Sequence, residues 1–347
     1  MKDYKSNYKD TKDIPKKNDV YDIATDYSFY NRNEIRTENV ISDYERKIDN
    51  VMMQSDYSSS KYEKISIDQG IENYAHKKRQ ADIAMLKTEK FYLQKYGDML
   101  DNSRIEQLYD ILDEEKITLY NSENFYKKYF TADSVTGLRE TQNGKISIKD
   151  TVYIDSLKKT ASHEATHDVS FQKNIQPEIK HNILDDGRVQ ETKRVSYQSG
   201  IHTIEREWVS IDGKVITDHK NDKCRMLNEG LTENYNLEAL RARGETPNFE
   251  AYHYERGWAN SMRDIVGHDI VDRAYFGGDI QTLKDRFNNM ASDSNAWDYF
   301  NECIDKHFES LEKNKYDLAK SYADKVNRIL LGLEDPSEKI QEKVLKR

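Results

Sequence analysis

Two histidines four residues apart, His163 and His167, stand in a stretch from Leu157 to Phe171 that reads as a helix, and their spacing constrains the fold more than any other feature. On an α-helix, residues i and i+4 share one face about a turn apart, so both imidazoles project in the same direction. Such a pair can aim one ring nitrogen each at a single ion. Glu164, next to the first histidine, falls beside that ion, where it can take a proton from water without being a ligand itself.

A second segment strengthens this reading. Asn228-Glu229-Gly230-Leu231-Thr232-Glu233 opens a further predicted helix, on which Glu229 can supply a third ligand and leave a fourth position open for water. Glu233 follows one turn later on the same face. It can accept a hydrogen bond from the remaining N–H of a ligating histidine and so fix its tautomer. The ion expected is one Zn2+, which lowers the pKa of water from about 15.7 to about 7, so that a carboxylate base suffices near neutral pH.

His163-Glu164-Ala165-Thr166-His167 followed by Asn228-Glu229 through Glu233 resembles the gluzincin metallopeptidases, the thermolysin-like zincins whose motif is HExxH with a downstream NExxxD. The resemblance covers roughly Leu138 to Leu240. It implies that His163, His167 and Glu229 hold zinc, that Glu164 is the general base, and that Glu233 supports a ligand. It also implies a zincin-like fold, with a small sheet whose edge strand borders the cleft, an active-site helix and a helical C-terminal part. The activity implied is that of a zinc endopeptidase acting on a peptide or protein substrate. This chain departs from the pattern in two ways: Glu233 replaces the usual aspartate, and the long connection from His167 to Glu229 is closer to the lethal-factor-like group. Two alternatives stand beside the peptidase: a catalytically idle binding protein that keeps the zincin fold, and a host-directed, toxin-like peptidase.

An enzyme of this class needs a donor for the oxyanion that develops on the attacked carbonyl. His219, Tyr252, His253 and Tyr254 are candidates, with Tyr254 and His253 favoured. Asp168 follows His167, but neighbours on a helix point about 100° apart, so it reads as a surface residue. His76, His181, His202, His268 and His307 have no partner at ligand spacing and read as structural.

The rest of the chain sets the frame. Charged residues make up 34% against 36% hydrophobic, so the core is lean, and the 24 tyrosines must supply much of its apolar area, with rings buried and hydroxyls at the wet edge. A net charge of -9 argues against nucleic acid as a partner, which would need clustered Lys and Arg. Cys224 and Cys303 are too few for a disulfide framework and fit a reducing compartment. Met1 to Lys17 has no apolar core resembling a signal segment, and no stretch approaches the roughly 20 apolar residues of a membrane span. A cytoplasmic location is the expectation, with export by another route as the alternative.

The expected class is α+β and mainly helical. Residues 1–70 read as a polar tail, with a short helical piece from Glu38 to Met53, and 71–340 as the zincin-like domain. Within that domain, 71–171 carries two helices between Gln69 and Phe130, an antiparallel ribbon from Leu138 to Ile154 turned at Asn143-Gly144, and the HExxH helix. Residues 172–224 form an inserted region with a ribbon from Ile201 to Thr217 turned by Asp212-Gly213. Residues 225–340 form the third-ligand helix and a helical bundle.

Overall fold

The computed structural model describes residues 23–53, 71–110, 112, 116–129, 136–139, 145–150, 153–245 and 252–334. Two long helices come first, α1 (Ile23–Met53) and α2 (Ile71–Tyr96), followed by the short α3 (Asn102–Asp110). Apolar residues of α1 recur at helical spacing: Val40, Tyr44, Ile48 and Val51 are all buried in the common core against α2. The helical piece expected from Glu38 to Met53 is part of this longer helix, and the stripe gives it a face to bury in the core. Residues 1–22 and 54–70 of the expected tail lie outside the described residues.

After α3 the chain enters a small sheet. Strand β1 (Ile117–Tyr120) leads into α4 (Ser122–Tyr129), then come β2 (Gly137–Arg139) and β3 (Ile146–Lys149). The strand order is β1-β3-β2, with β1 parallel to β3 (Ile117 opposite Ile146) and β2 antiparallel to it (Gly137 opposite Ile148). The antiparallel ribbon is present, and β2 is an edge. Two details differ from the expectation. Ile117–Tyr120 is a strand where only helix was expected, its alternating Ile117 and Leu119 buried. Ile154 opens the next helix, α5 (Ile154–Val169), instead of extending the ribbon. Asn143, Gly144 and Val152 lie outside the described residues.

The inserted region is a four-stranded antiparallel meander: β4 (Gln172–Ile183), β5 (Val189–Ser199), β6 (His202–Ile211) and β7 (Lys214–Lys223), hydrogen-bonded in chain order. The β6–β7 turn at Asp212-Gly213 is where it was expected, and β4 and β5 were not anticipated. Pro177, which cannot donate to a ladder, lies on the edge strand where the register shifts between Ile175 and Glu178. The far end of the sheet is open to solvent, with Ile183 and Ile216 exposed. Its root is fixed: Gln172 Nε2 donates to the His167 carbonyl at 2.8 Å, and the Ile201 N–H donates to Asn228 Oδ1 at 3.0 Å.

The remaining chain is helical: α6 (Arg225–Ala242), α7 (His253–Val266), α8 (His268–Gly277), α9 (Ile280–Ala291), α10 (Ala296–Glu312) and α11 (Tyr316–Glu334). The molecule is thus α+β and mainly helical. None of the described helices is long and apolar enough to cross a membrane. Cys224 and Cys303 are free and buried.

Several tyrosines sit deeper than a wet-edge arrangement requires, while others such as Tyr153 and Tyr316 are exposed. Tyr92, Tyr235 and Tyr275 are fully buried around Phe276, and the Tyr96 ring stacks on it at 4.1 Å. Protein groups, not water, satisfy the buried hydroxyls: Tyr235 donates to Asp272 at 2.6 Å and Tyr44 to Glu89 at 2.8 Å.

Candidate metal centre

α5 and α6 cross so that the first faces the second across the candidate ligands. His163 Nε2 and His167 Nε2 each lie 3.3 Å from Glu229 Oε2. Among the described residues these three form a group able to hold a metal ion, their donor atoms all within 4.8 Å of one another. Two imidazole nitrogens and one carboxylate oxygen, with the outer Nδ1 atoms already engaged elsewhere, form a donor set that zinc accepts.

Glu233 sits one turn beyond Glu229, as the spacing requires. Its Oε2 lies 2.9 Å from His163 Nδ1, its Oε1 is 2.7 Å from the Lys159 ammonium, and Asn236 donates to it at 3.0 Å. Burial pushes this carboxyl upward, but His163 and Lys159 outweigh that effect and hold it down at about 2. Burial lowers His163, yet the hydrogen bonds to Glu229 and Glu233 raise it to about 10. Glu229, pushed up by burial, is held well below the usual carboxylate range by the two histidines. Without a metal, this cage of anions draws a proton onto His163.

Glu164 is buried beside the group and makes no ligand contact in it. Desolvation raises its pKa, with the histidines pulling the other way. The backbone of β2 passes directly over it. A Cβ built on Gly137 would lie 2.8 Å from Glu164 Oε1 and 2.5 Å from Thr160 Cγ2, so any larger residue there would push these two side chains aside. The free edge of the small sheet therefore runs along the base.

A second close approach brings in the aromatic residue that sequence reasoning ranked below its neighbours. Gly230 lets the start of α7 rest on α6, since a Cβ there would lie 2.5 Å from the Glu255 carbonyl. Tyr252, just before α7, adopts a left-handed backbone with φ 53°. Its ring stacks on His163 at 5.8 Å between centroids, and the Glu229 carboxylate acts on its hydroxyl. The negative charge of Glu229, together with burial, raises this phenol well above its usual pKa, so it stays protonated and remains a donor.

His253 and Tyr254 turn outward. Both are exposed, and Tyr254 packs against Trp258 and His307, not against the histidine pair. His219 lies on exposed β7, opposite Glu207. The remaining histidines stand outside the ligand group: His76 is exposed on α2, His181, His202 and His268 pair with Glu191, Asp222 and Asp264, and His307 Nδ1 lies 2.8 Å from the Ala319 carbonyl oxygen.

Asp168, expected at the surface, is fully buried. The 100° step from His167 takes it off the ligand face but points it into the junction of α5 with α3 and β2. There Arg139, Arg104 and Lys116 reach it at 2.8, 3.1 and 3.2 Å. Lys116 also pairs with Glu89 at 3.0 Å. Since Glu164 and Asp168 are four apart, β2 meets both, one through Gly137 and the other through Arg139. This buried ion cluster thus anchors the strand that covers the base.

Compared with protein-family models, curated proteins and solved structures, the chain matches none.

Proposed function

We propose that this chain is a zinc-dependent metallopeptidase of the gluzincin type that hydrolyses peptide bonds in a peptide or protein substrate. The observation that carries this reading is the convergence of His163, His167 and Glu229 on one point, with Glu164 adjacent but outside the ligand group. A bound zinc ion would supply Lewis acidity, making water acidic enough for a carboxylate to deprotonate near neutral pH.

The protein's own groups perform the rest. Glu164, in a desolvated position, accepts a proton from water as its oxygen attacks the carbonyl carbon. The same proton then passes to the amine nitrogen as the C–N bond breaks. Tyr252, held neutral, donates to the carbonyl oxygen as it gains charge. The outer edge of β2, which has no strand beside it among the described residues, offers backbone donors and acceptors to an extended substrate. Glu233 and Lys159 keep His163 oriented throughout.

The test is cleavage of a peptide library by the zinc-loaded chain and by its Glu164→Gln variant. The expected result is cleavage by the first only, with equal zinc content in both. Undiminished cleavage by Glu164→Gln would sink the mechanism.

A further inference from the structure

The two candidate ligand histidines are not oriented by the same chemistry. His163 Nδ1 faces the Glu233 carboxylate, whereas the side-chain atom next to His167 Nδ1 is Thr232 Oγ1, at 3.4 Å. Thr232 is fully buried, so this hydroxyl has no water to share. A threonine hydroxyl has one proton and two lone pairs. The proton goes to the Asn228 carbonyl one turn back, at 2.8 Å. Tyr275 Oη, at 2.7 Å, must then donate into one lone pair, and the other remains for His167.

Resting on the zinc reading above, we propose that Thr232 is the positioning residue of His167. With its proton committed to Asn228, it can only accept from the ring. It thereby fixes the tautomer that carries hydrogen on Nδ1 and leaves the Nε2 lone pair facing Glu229 and the ion. One helix thus supplies the whole support in two turns: Asn228 and Glu229 in the first, Thr232 and Glu233 in the next. Asn228 secures Thr232 through its carbonyl and the root of the four-stranded sheet through its side chain. The sheet and the second ligand are therefore tied to the same residue.

The test measures zinc dissociation constants of the full chain by competition with a chromophoric chelator, together with the visible spectrum of the cobalt-substituted protein. Thr232→Val keeps the shape and removes the acceptor; Thr232→Ser keeps the hydroxyl. Thr232→Val is expected to weaken zinc binding about 10- to 100-fold and to shift the cobalt bands, while Thr232→Ser retains both properties of the parent. Thermal unfolding of the metal-free variants separates this effect from lost stability. If Thr232→Val does not fold, Thr232→Ala carries the same expectation. Parental zinc affinity and cobalt bands in the folded hydroxyl-free variant would overturn the proposal while leaving the zinc site intact. Failure of the parent itself to bind zinc would overturn both.

Discussion

His163 lies between two carboxylates, with Glu233 Oε2 2.9 Å from Nδ1 and Glu229 Oε2 3.3 Å from Nε2. Both ring nitrogens therefore face an acceptor, and the metal-free ring holds a second proton up to a pKa of about 10. A metal on Nε2 must displace that proton. Between about pH 7 and pH 9, zinc uptake should release about one proton per ion from His163, and affinity should fall roughly tenfold for each unit the pH drops. Zinc titration calorimetry in two buffers of different protonation enthalpy measures this release. Identical heats in the two buffers would contradict it.

Tyr252, rather than Tyr254, has its hydroxyl at the centre. Tyr252→Phe should lower kcat about 10²- to 10³-fold while zinc stays bound, since one donor to the developing oxyanion is lost. Tyr254→Phe should leave kcat unchanged. Kinetics of the two variants on one cleaved peptide decide between them, and equal rates would remove Tyr252 from the mechanism.

Asp168 faces three cations in the interior, so removing it strands buried positive charge. Asp168→Ala should cost about 3–5 kcal/mol in denaturant unfolding. Burial pushes the Asp168 carboxyl up, but Lys116, Arg139 and Arg104 hold it far below its usual range. Its contribution is thus fully present above the unfolded value near pH 3.9 and declines as the pH falls below it. The stability gap between parent and variant should narrow on acidification through about pH 4. A gap that widens would show that the cluster does not favour the ionised form.

What could be read in the sequence followed from local spacing. His163, Glu164 and His167 are fixed by one helical turn, and Glu229 and Glu233 by another, so the two halves of the centre were legible separately. Their meeting depends on the packing of α5 on α6, which spacing does not encode. Tyr252 is a candidate in the sequence but ranks below Tyr254 and His253, because its approach depends on a left-handed residue without glycine or asparagine, and no local pattern marks such a turn. Asp168 was misplaced because its partners Arg104, Lys116 and Arg139 are scattered along the chain. The β4–β5 hairpin did carry a sign, Asp186-Gly187, but the polar composition of both strands and Pro177 concealed it.

The central claim is that His163, His167 and Glu229 together hold zinc, and the most direct measurement is calorimetric titration of zinc into the metal-stripped chain. The parent should bind one ion per chain, and the combined His163→Ala and His167→Ala variant should bind none at that site. No binding by the parent, or binding by the variant at undiminished affinity, would contradict the account.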